Sequence, residues 1–239
     1  LLPLELTEAE YVPSPGALAA FGLPDLPGAK AGIRLRLRTT AGLTFDKVAL
    51  SALRLYLRGS EQLPLRLYEA LVAGTRAVVA RPPERPAPWQ EVVRHSPLKA
   101  VGLDDQDAVL PTGPRSFQGY RLLHEYFAFP HRFLFVEIGG IAAAARRCTG
   151  NTLDLFVILS RSDTSLQGNL EASQFELFCT PAVNLFPKRA DRIHLDPRQH
   201  EYHVLLDRTP PLDFEVHSVT SVVGHGTRTD QEQPFRPLY

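Results

Sequence analysis

The chain of 239 residues sets 26 Lys and Arg against 26 Asp and Glu, so it brings no overall surplus of cation to nucleic-acid phosphates or an anionic membrane surface. Hydrophobic residues at 44% and charged residues at 22% are ordinary globular usage, which excludes a disordered tail or a collagen-like chain. The 21 prolines and 16 glycines argue against long helical bundles and favour short strands and turns. No methionine occurs, which predicts an internal fragment of a longer protein. The uncharged stretch from Tyr11 to Pro24 is interrupted by Pro13, Pro15 and Gly16 and is too short to span a bilayer as a helix. Cys148 and Cys179 are too few for a disulfide scaffold and read as small buried hydrophobes, with a reducing compartment favoured.

In chain order, the first clear element is Ile33 to Thr40, where Ile33, Leu35 and Leu37 alternate with Arg34, Arg36 and Arg38; a half-buried strand is expected. Leu53 to Arg58 repeats the alternation and is expected to pair beside it, with both arginine faces on the wet side of one sheet. Glu61 to Ala73 carries Leu63, Leu67, Leu71 and Val72 at helical spacing, preceded by Ser60 and stopped by Gly74. Thr75 to Arg81 reads as a strand, and Pro82 to Pro88 as a surface loop, because four prolines remove backbone donors. A break at Leu110 to Ser116 precedes a predicted helix from Phe117 to Phe127, in which Tyr120, Leu123 and Phe127 share a face. A subdomain boundary is therefore expected near residue 112, between a β-rich lobe over 1–111 with one short helix and an α+β lobe over 112–239.

Phe133 to Ile138 and Leu153 to Leu159 read as buried strands, Leu170 to Phe178 as a short helix, and Glu201 to Asp207 with Phe214 to Val223 as a hairpin around Pro210 and Pro211. The fold class is mainly β with short helices, an α+β chain of β-rich, sandwich-like lobes. Leu35, Leu55, Phe127, Phe135, Leu155, Phe156 and Phe178 are the expected core.

Chemistry-bearing motifs are few. His194, His200 and His203, with Asp191, Asp196 and Glu201 nearby, form the densest ligating cluster and frame one alternative, a metal-dependent hydrolase. However, a zinc-protease helix places two histidines four residues apart, whereas His200 and His203 are three apart and fall on opposite faces of a strand. Asp104, Asp105 and Asp107 lack the glycine and the terminal glutamate of a calcium loop. No nucleophile elbow, phosphate loop or dinucleotide fingerprint is present in the sequence. The aromatics Tyr120, Tyr126, Phe127, Phe129, Phe133 and Phe135 frame a second alternative, a carbohydrate-binding β module, although their helical and strand spacing fits a core better.

Two blocks are distinctive. FQGYRLLHEYFAFPHRFLF, from Phe117 to Phe135, and LFCTPAVNLFPKRADRI, from Leu177 to Ile193, resemble the signature blocks of the TssF family of type VI secretion baseplate subunits, also called VasA or ImpG. The continuations Arg198 to His203 and Pro211 to Val219 are similar to that family in order and spacing. The resemblance implies a structural subunit of a baseplate wedge, without catalytic residues, metal or cofactor, that scaffolds a contractile sheath around a spike hub. It implies TssG and TssK as partners, with TssE, the VgrG spike hub and a second TssF copy as further ones, and neither nucleic acid nor direct membrane insertion. The implied location is the cytoplasm, docked at the inner-membrane secretion complex. Within the second block, an aromatic anchor at Phe178 or Phe186 beside exposed Lys188, Arg189 and Arg192 makes the candidate partner interface.

Overall fold

The computed structural model describes residues 2–60, 62–95, 97–110, 117–207, 209, 213–226 and 231–236. In chain order its strands are β1 (Leu4–Val12), β2 (Ala31–Thr39), β3 (Leu53–Leu57), β4 (Thr75–Arg81), β5 (Glu91–Val93), β6 (Leu98–Val101), β7 (Phe135–Ile138), β8 (Thr152–Leu159), β9 (Phe175–Glu176), β10 (Val222–His225) and β11 (Glu232–Phe235). The α-helices are α1 (Pro15–Ala20), α2 (Leu63–Gly74), α3 (Gln118–Ala128) and α4 (Ala142–Arg147). The chain divides into two compact units, Leu1–Pro181 and Ala182–Tyr239. The sheets are antiparallel and the helices short, the β-dominated α+β class expected from alternation and proline content.

The first unit holds a five-stranded sheet in the order β1-β2-β8-β4-β5 and a four-stranded sheet in the order β6-β7-β3-β9. Their facing side chains make one core: Ile33, Leu35 and Leu37 of β2 and Leu153, Leu155 and Val157 of β8 from one sheet, Leu53, Leu55 and Leu57 of β3 and Val136 and Ile138 of β7 from the other. Leu67 and Leu71 of α2 fill in beside them. Leu35, Leu55, Phe135, Leu155 and Phe156 are buried as expected. The outer face of the five-stranded sheet is apolar at one end, where α1 lays Leu18 over Phe156, Ile158 and Val79. Gly32 permits this approach, because a Cβ there would stand 2.9 Å from Leu18 Cδ2 and 3.2 Å from the Val157 carbonyl oxygen.

Several expectations are corrected by tertiary pairing. Strands β2 and β3 do not pair; β2 lies between β1 and β8, and β3 between β7 and β9. The cause lies in the connection, where Phe45, Val48 and Leu50 are buried in the shared core and so carry the chain across to the second sheet. The arginine face of β2 is wet only at Arg38, whereas Arg54 and Arg58 of β3 are exposed as expected. Arg34 is only 8% exposed, and Asp154 of β8, 2% exposed, sits between Arg34 and Arg36 with Nε-to-carboxylate hydrogen bonds of 3.2 and 2.7 Å. Glu10 and Glu8 of β1 complete a ladder of alternating charge across three strands, which satisfies ions that would otherwise be buried alone. The edge strand β1 shows no clean alternation in the sequence because a register shift between Leu6 and Glu8 changes which residues point inward.

Strands from both sides of residue 112 lie in the same two sheets, as β8 does beside β2 and β4, so the ranges 1–111 and 112–239 are not separate sheets. Leu170 to Phe178 holds a short turn of 3-10 helix at Ala172–Gln174 followed by β9, not an α-helix. In the second unit, Glu201 to Asp207 has no regular secondary structure, and the hairpin is instead β10–β11, paired from Val222 opposite Phe235 to His225 opposite Glu232. Pro210 and Pro211 lie outside the described residues. Of the two free cysteines, Cys148 is buried as expected and Cys179 is exposed.

Candidate protein-protein interface

The block from Leu177 to Ile193 contributes one patch. Within the second unit, the segment from Phe186 to Asp207 closes on itself: the Asp191 amide donates to the Leu205 carbonyl at 2.9 Å, and Lys188 Nζ meets Asp207 Oδ2 at 3.3 Å. Lys188 Nζ also lies 3.7 Å from the centre of the Phe214 ring, whose edge meets Phe186 at 5.9 Å between centroids. Lys188 is therefore held by a carboxylate and an aromatic face together. Hydrogen bonds from the Thr209 amide and from Lys188 hold the Asp207 carboxyl below the usual carboxylate range, so it stays ionised opposite Lys188 at neutral pH. Arg189 and Arg192 are exposed, and Phe186 is 53% exposed. The loop thus presents two guanidiniums and an apolar ring to solvent, held by the Lys188 clamp. Phe178 belongs to the first unit, where it is half-exposed in the left-handed region at φ 60 rather than buried as a core residue. It lines an open apolar groove with Leu4, Leu53 and Leu177.

His194, His200 and His203 are exposed in segments without regular secondary structure. Among the described residues, no group of three or more His, Cys, Asp or Glu side chains comes together to hold a metal. The Asp196 carboxylate accepts from the Arg198 amide at 2.9 Å, while its backbone amide donates to the Tyr202 hydroxyl at 2.6 Å and its carbonyl accepts from that hydroxyl at 2.7 Å.

The second patch was misassigned by the sequence pattern. Tyr120, Leu123 and Phe127 do share one face of α3, but that face is outside: they are 72, 56 and 80% exposed. The inward face carries Arg121 and Glu125, 6 and 2% exposed. Glu125 Oε1 accepts from the amides of Val109 and Leu110 at 2.9 and 3.0 Å, and Oε2 meets Arg121 Nη1 at 3.0 Å and Arg132. Arg132 in turn donates to the carbonyls of Gly102 and Asp107 at 3.0 and 2.9 Å, and Arg121 to the carbonyl of Leu103 at 3.2 Å. Burial, and then the neighbouring Arg121, pull the Arg132 guanidinium below its ordinary value. The helix is thus fastened by ions to the chain from Gly102 to Leu110, which leaves its aromatic side turned out. The signal for this was present in the i, i+4 spacing of Arg121 and Glu125. Spacing alone does not distinguish a buried pair from a solvated one.

Comparison with known proteins gives one consistent result. The family model described as "Type VI secretion system, TssF" matches residues 1–239. A curated relative from Pseudomonas aeruginosa, type VI secretion system component TssF1, is 52% identical over all 239 residues, and the chain spans 38% of that relative's length. Among solved structures, a chain of the TssK-TssF-TssG baseplate subcomplex of the type VI secretion system, seen by cryo-electron microscopy, shares the fold with a TM-score of 0.64 at 23% identity, over 95% of this chain and 40% of that one.

Proposed function

Because this chain belongs to the type VI secretion system TssF family, we propose that it is part of a structural baseplate subunit that works by binding other subunits rather than by catalysis. The observation that carries the reading is the family match along every residue of the chain. The name of the structural neighbour supports TssG and TssK as partners; TssE, the VgrG spike hub and a second TssF copy are further proposed contacts. The role extends to supporting sheath assembly around the spike from the cytoplasmic side, at the inner-membrane complex. Among the described residues no helix is long and apolar enough to cross a membrane.

Physically, such a subunit needs stiff parts and exposed complementary surfaces. The two-sheet core and its charge ladder supply the first, and the loop of Phe186, Lys188, Arg189 and Arg192 is a candidate for the second. A loop of this kind contributes through the charges it presents, which set orientation and encounter rate more than bulk affinity. The test is co-purification of the full-length subunit with its cognate TssG and TssK, for the wild type and for Lys188→Glu/Arg189→Glu/Arg192→Glu. The expected result is a wild-type complex weakened by the triple change, most at low salt. A wild-type subunit that binds neither protein refutes the reading. A triple variant that assembles normally removes the loop from the contact surface and leaves the family role intact.

A further inference from the structure

Within the second unit, the segment from Phe186 to Asp207 fixes its own shape through polar bonds. At its base stands the Lys188 clamp on Asp207 and Phe214, and halfway along, the Asp191 amide donates to the Leu205 carbonyl. At its tip, Asp196-Pro197-Arg198-Gln199 makes a turn closed by the Gln199 amide on the Asp196 carbonyl at 3.0 Å. The residues suit it: proline fits the second position of such a turn, and an aspartate at the first accepts from the amide two residues on, here that of Arg198 at 2.9 Å. The Tyr202 hydroxyl ties the turn to the returning chain by accepting from the Asp196 amide and donating to its carbonyl. Pro197, Arg198, Gln199 and His200 are left exposed at the end of the loop.

By formal count this loop is neutral, with Lys188, Arg189, Arg192 and Arg198 against Asp191, Asp196, Glu201 and Asp207. The two signs are not equally available. Lys188 and Asp207 take each other up, Asp196 turns an oxygen to its own turn, and Asp191 is engaged as well. Among the described residues, the exposed side chains of Arg189, Arg192 and Arg198 make no hydrogen bond, ion pair or ring contact. Three free guanidiniums therefore stand against the remaining carboxylate of Glu201. We infer that the loop is a preformed cationic prong that takes a carboxylate-bearing surface of another subunit, with Arg198 at its tip and Arg189 and Arg192 along its arm. The inference rests on the binding role proposed above and names the chemistry of the partner.

Charge complementarity selects this occupant. All three free cations are arginines, whose planar fork matches a carboxylate through two parallel hydrogen bonds and which are enriched at protein interfaces. Three guanidiniums interspersed with carboxylates are too few and too mixed for anionic lipid, which is read by clusters of about four to eight Lys or Arg, and for nucleic acid, which needs a continuous basic surface. The rest of the same polypeptide fits less well than another subunit, for two reasons. The loop holds its form through its own bonds, and sealing unpaired guanidiniums inside one chain adds a desolvation cost. At a contact between subunits the same charges speed encounter and fix orientation. Because the turn is closed beforehand, the partner does not have to order it.

The test uses the full-length subunit with its cognate TssG and TssK. The photo-crosslinker benzoylphenylalanine replaces Gln199 to report what the tip touches. Arg198→Glu is made in parallel, with Arg189→Gln/Arg192→Gln/Arg198→Gln as a milder variant should the reversal disturb the turn. The expected results are a crosslink from position 199 to a stretch of TssG or TssK that bears Asp or Glu and, at unchanged circular dichroism, a loss of at least about tenfold in affinity for Arg198→Glu. Exchanging the crosslinked acidic residue of the partner for lysine should recover part of that loss, and the neutralised variant should show a flatter dependence of binding on salt. If the wild type assembles and both variants bind as well as it does, or if the crosslink falls within the subunit itself or on a partner surface without acidic residues, the cationic prong is wrong while the baseplate role stands. Flotation of the wild type on phosphatidylglycerol vesicles, or retention of duplex DNA, that Arg198→Glu abolishes also overturns it. A wild type that binds neither TssG nor TssK overturns the inference and the role together.

Discussion

Strand β2 and helix α3 are built from the same ingredients and resolve them oppositely. Each sets large apolar side chains on one face and ions on the other. In β2 the apolar face of Ile33, Leu35 and Leu37 enters the core, while Arg34 is buried and Arg36 partly buried on the far side, paired through Asp154. In α3 the ions Arg121 and Glu125 go inside and Tyr120, Leu123 and Phe127 stay out. An amphipathic pattern therefore tells which residues share a face, and what lies opposite decides which face is buried. For β2 that is the four-stranded sheet; for α3 it is a stretch of chain whose free amides and carbonyls need charged partners more than apolar ones.

The largest effect is expected from removing the carboxylate that joins the β2 ladder. Asp154→Ala leaves Arg34, 8% exposed, and Arg36 with only the more exposed Glu8 and Glu10 of β1 as ionic partners, and loss of the buried member of such a pair costs about 3–5 kcal/mol. Urea unfolding of the full-length subunit should show this as a lowered midpoint at an unchanged slope. A cost below about 1 kcal/mol would mean that Glu8, Glu10 and solvent satisfy these arginines without Asp154.

Next comes the apolar side of the same strand pair. Leu155→Ala opens a cavity between the sheets at a fully buried position and should cost about 2–5 kcal/mol. Phe127→Ala, a larger truncation in chemical terms, should change stability by no more than about 0.5 kcal/mol because the ring already faces water. If Phe127→Ala proved as costly as Leu155→Ala, α3 would have to be turned the other way.

Glu125→Ala separates a local anchor from a global one. The two amides it accepts and the two arginines it meets all lie in or near α3, so the expected loss is of hydrogen-exchange protection from Gln118–Ala128 and Val109–Leu110, with β2 and β8 protected as before. Simultaneous loss of protection in the sheets would show that α3 is part of the core's cooperative unit. The smallest stability effect belongs to Lys188→Glu/Arg189→Glu/Arg192→Glu. Arg189 and Arg192 are exposed, so the melting temperature should barely move, by the equivalent of about 1 kcal/mol or less, most of it from losing the Lys188 clamp on Asp207 and Phe214.

Local pattern was sufficient where one period dominated a run of residues. The alternation of Ile33 to Thr40 and of Leu53 to Arg58, the leucine spacing of α2 and the apolar run of β8 each gave the right element, and the proline load gave the right class. It was also sufficient for kinship, because the blocks from Phe117 and from Leu177 resembled the TssF family to which the chain belongs. The element was passed over where the period was broken, as at the register shift in β1, and misread where the run was short, as at the two-residue β9.

What only the tertiary structure decided was partnership. Whether β2 paired with β3 depended on the burial of Phe45 and Leu50 in the link between them, and whether an arginine was wet depended on an aspartate 120 residues away in the chain. The outward turn of α3 depended on amides at Val109 and Leu110 that accept nothing and must donate to something. Sequence determined the local conformations and the amphipathic faces, since those follow from the period of a single segment. Which faces met, and so which residues remained free to bind a partner, was set by long-range contacts whose energies no single segment contains.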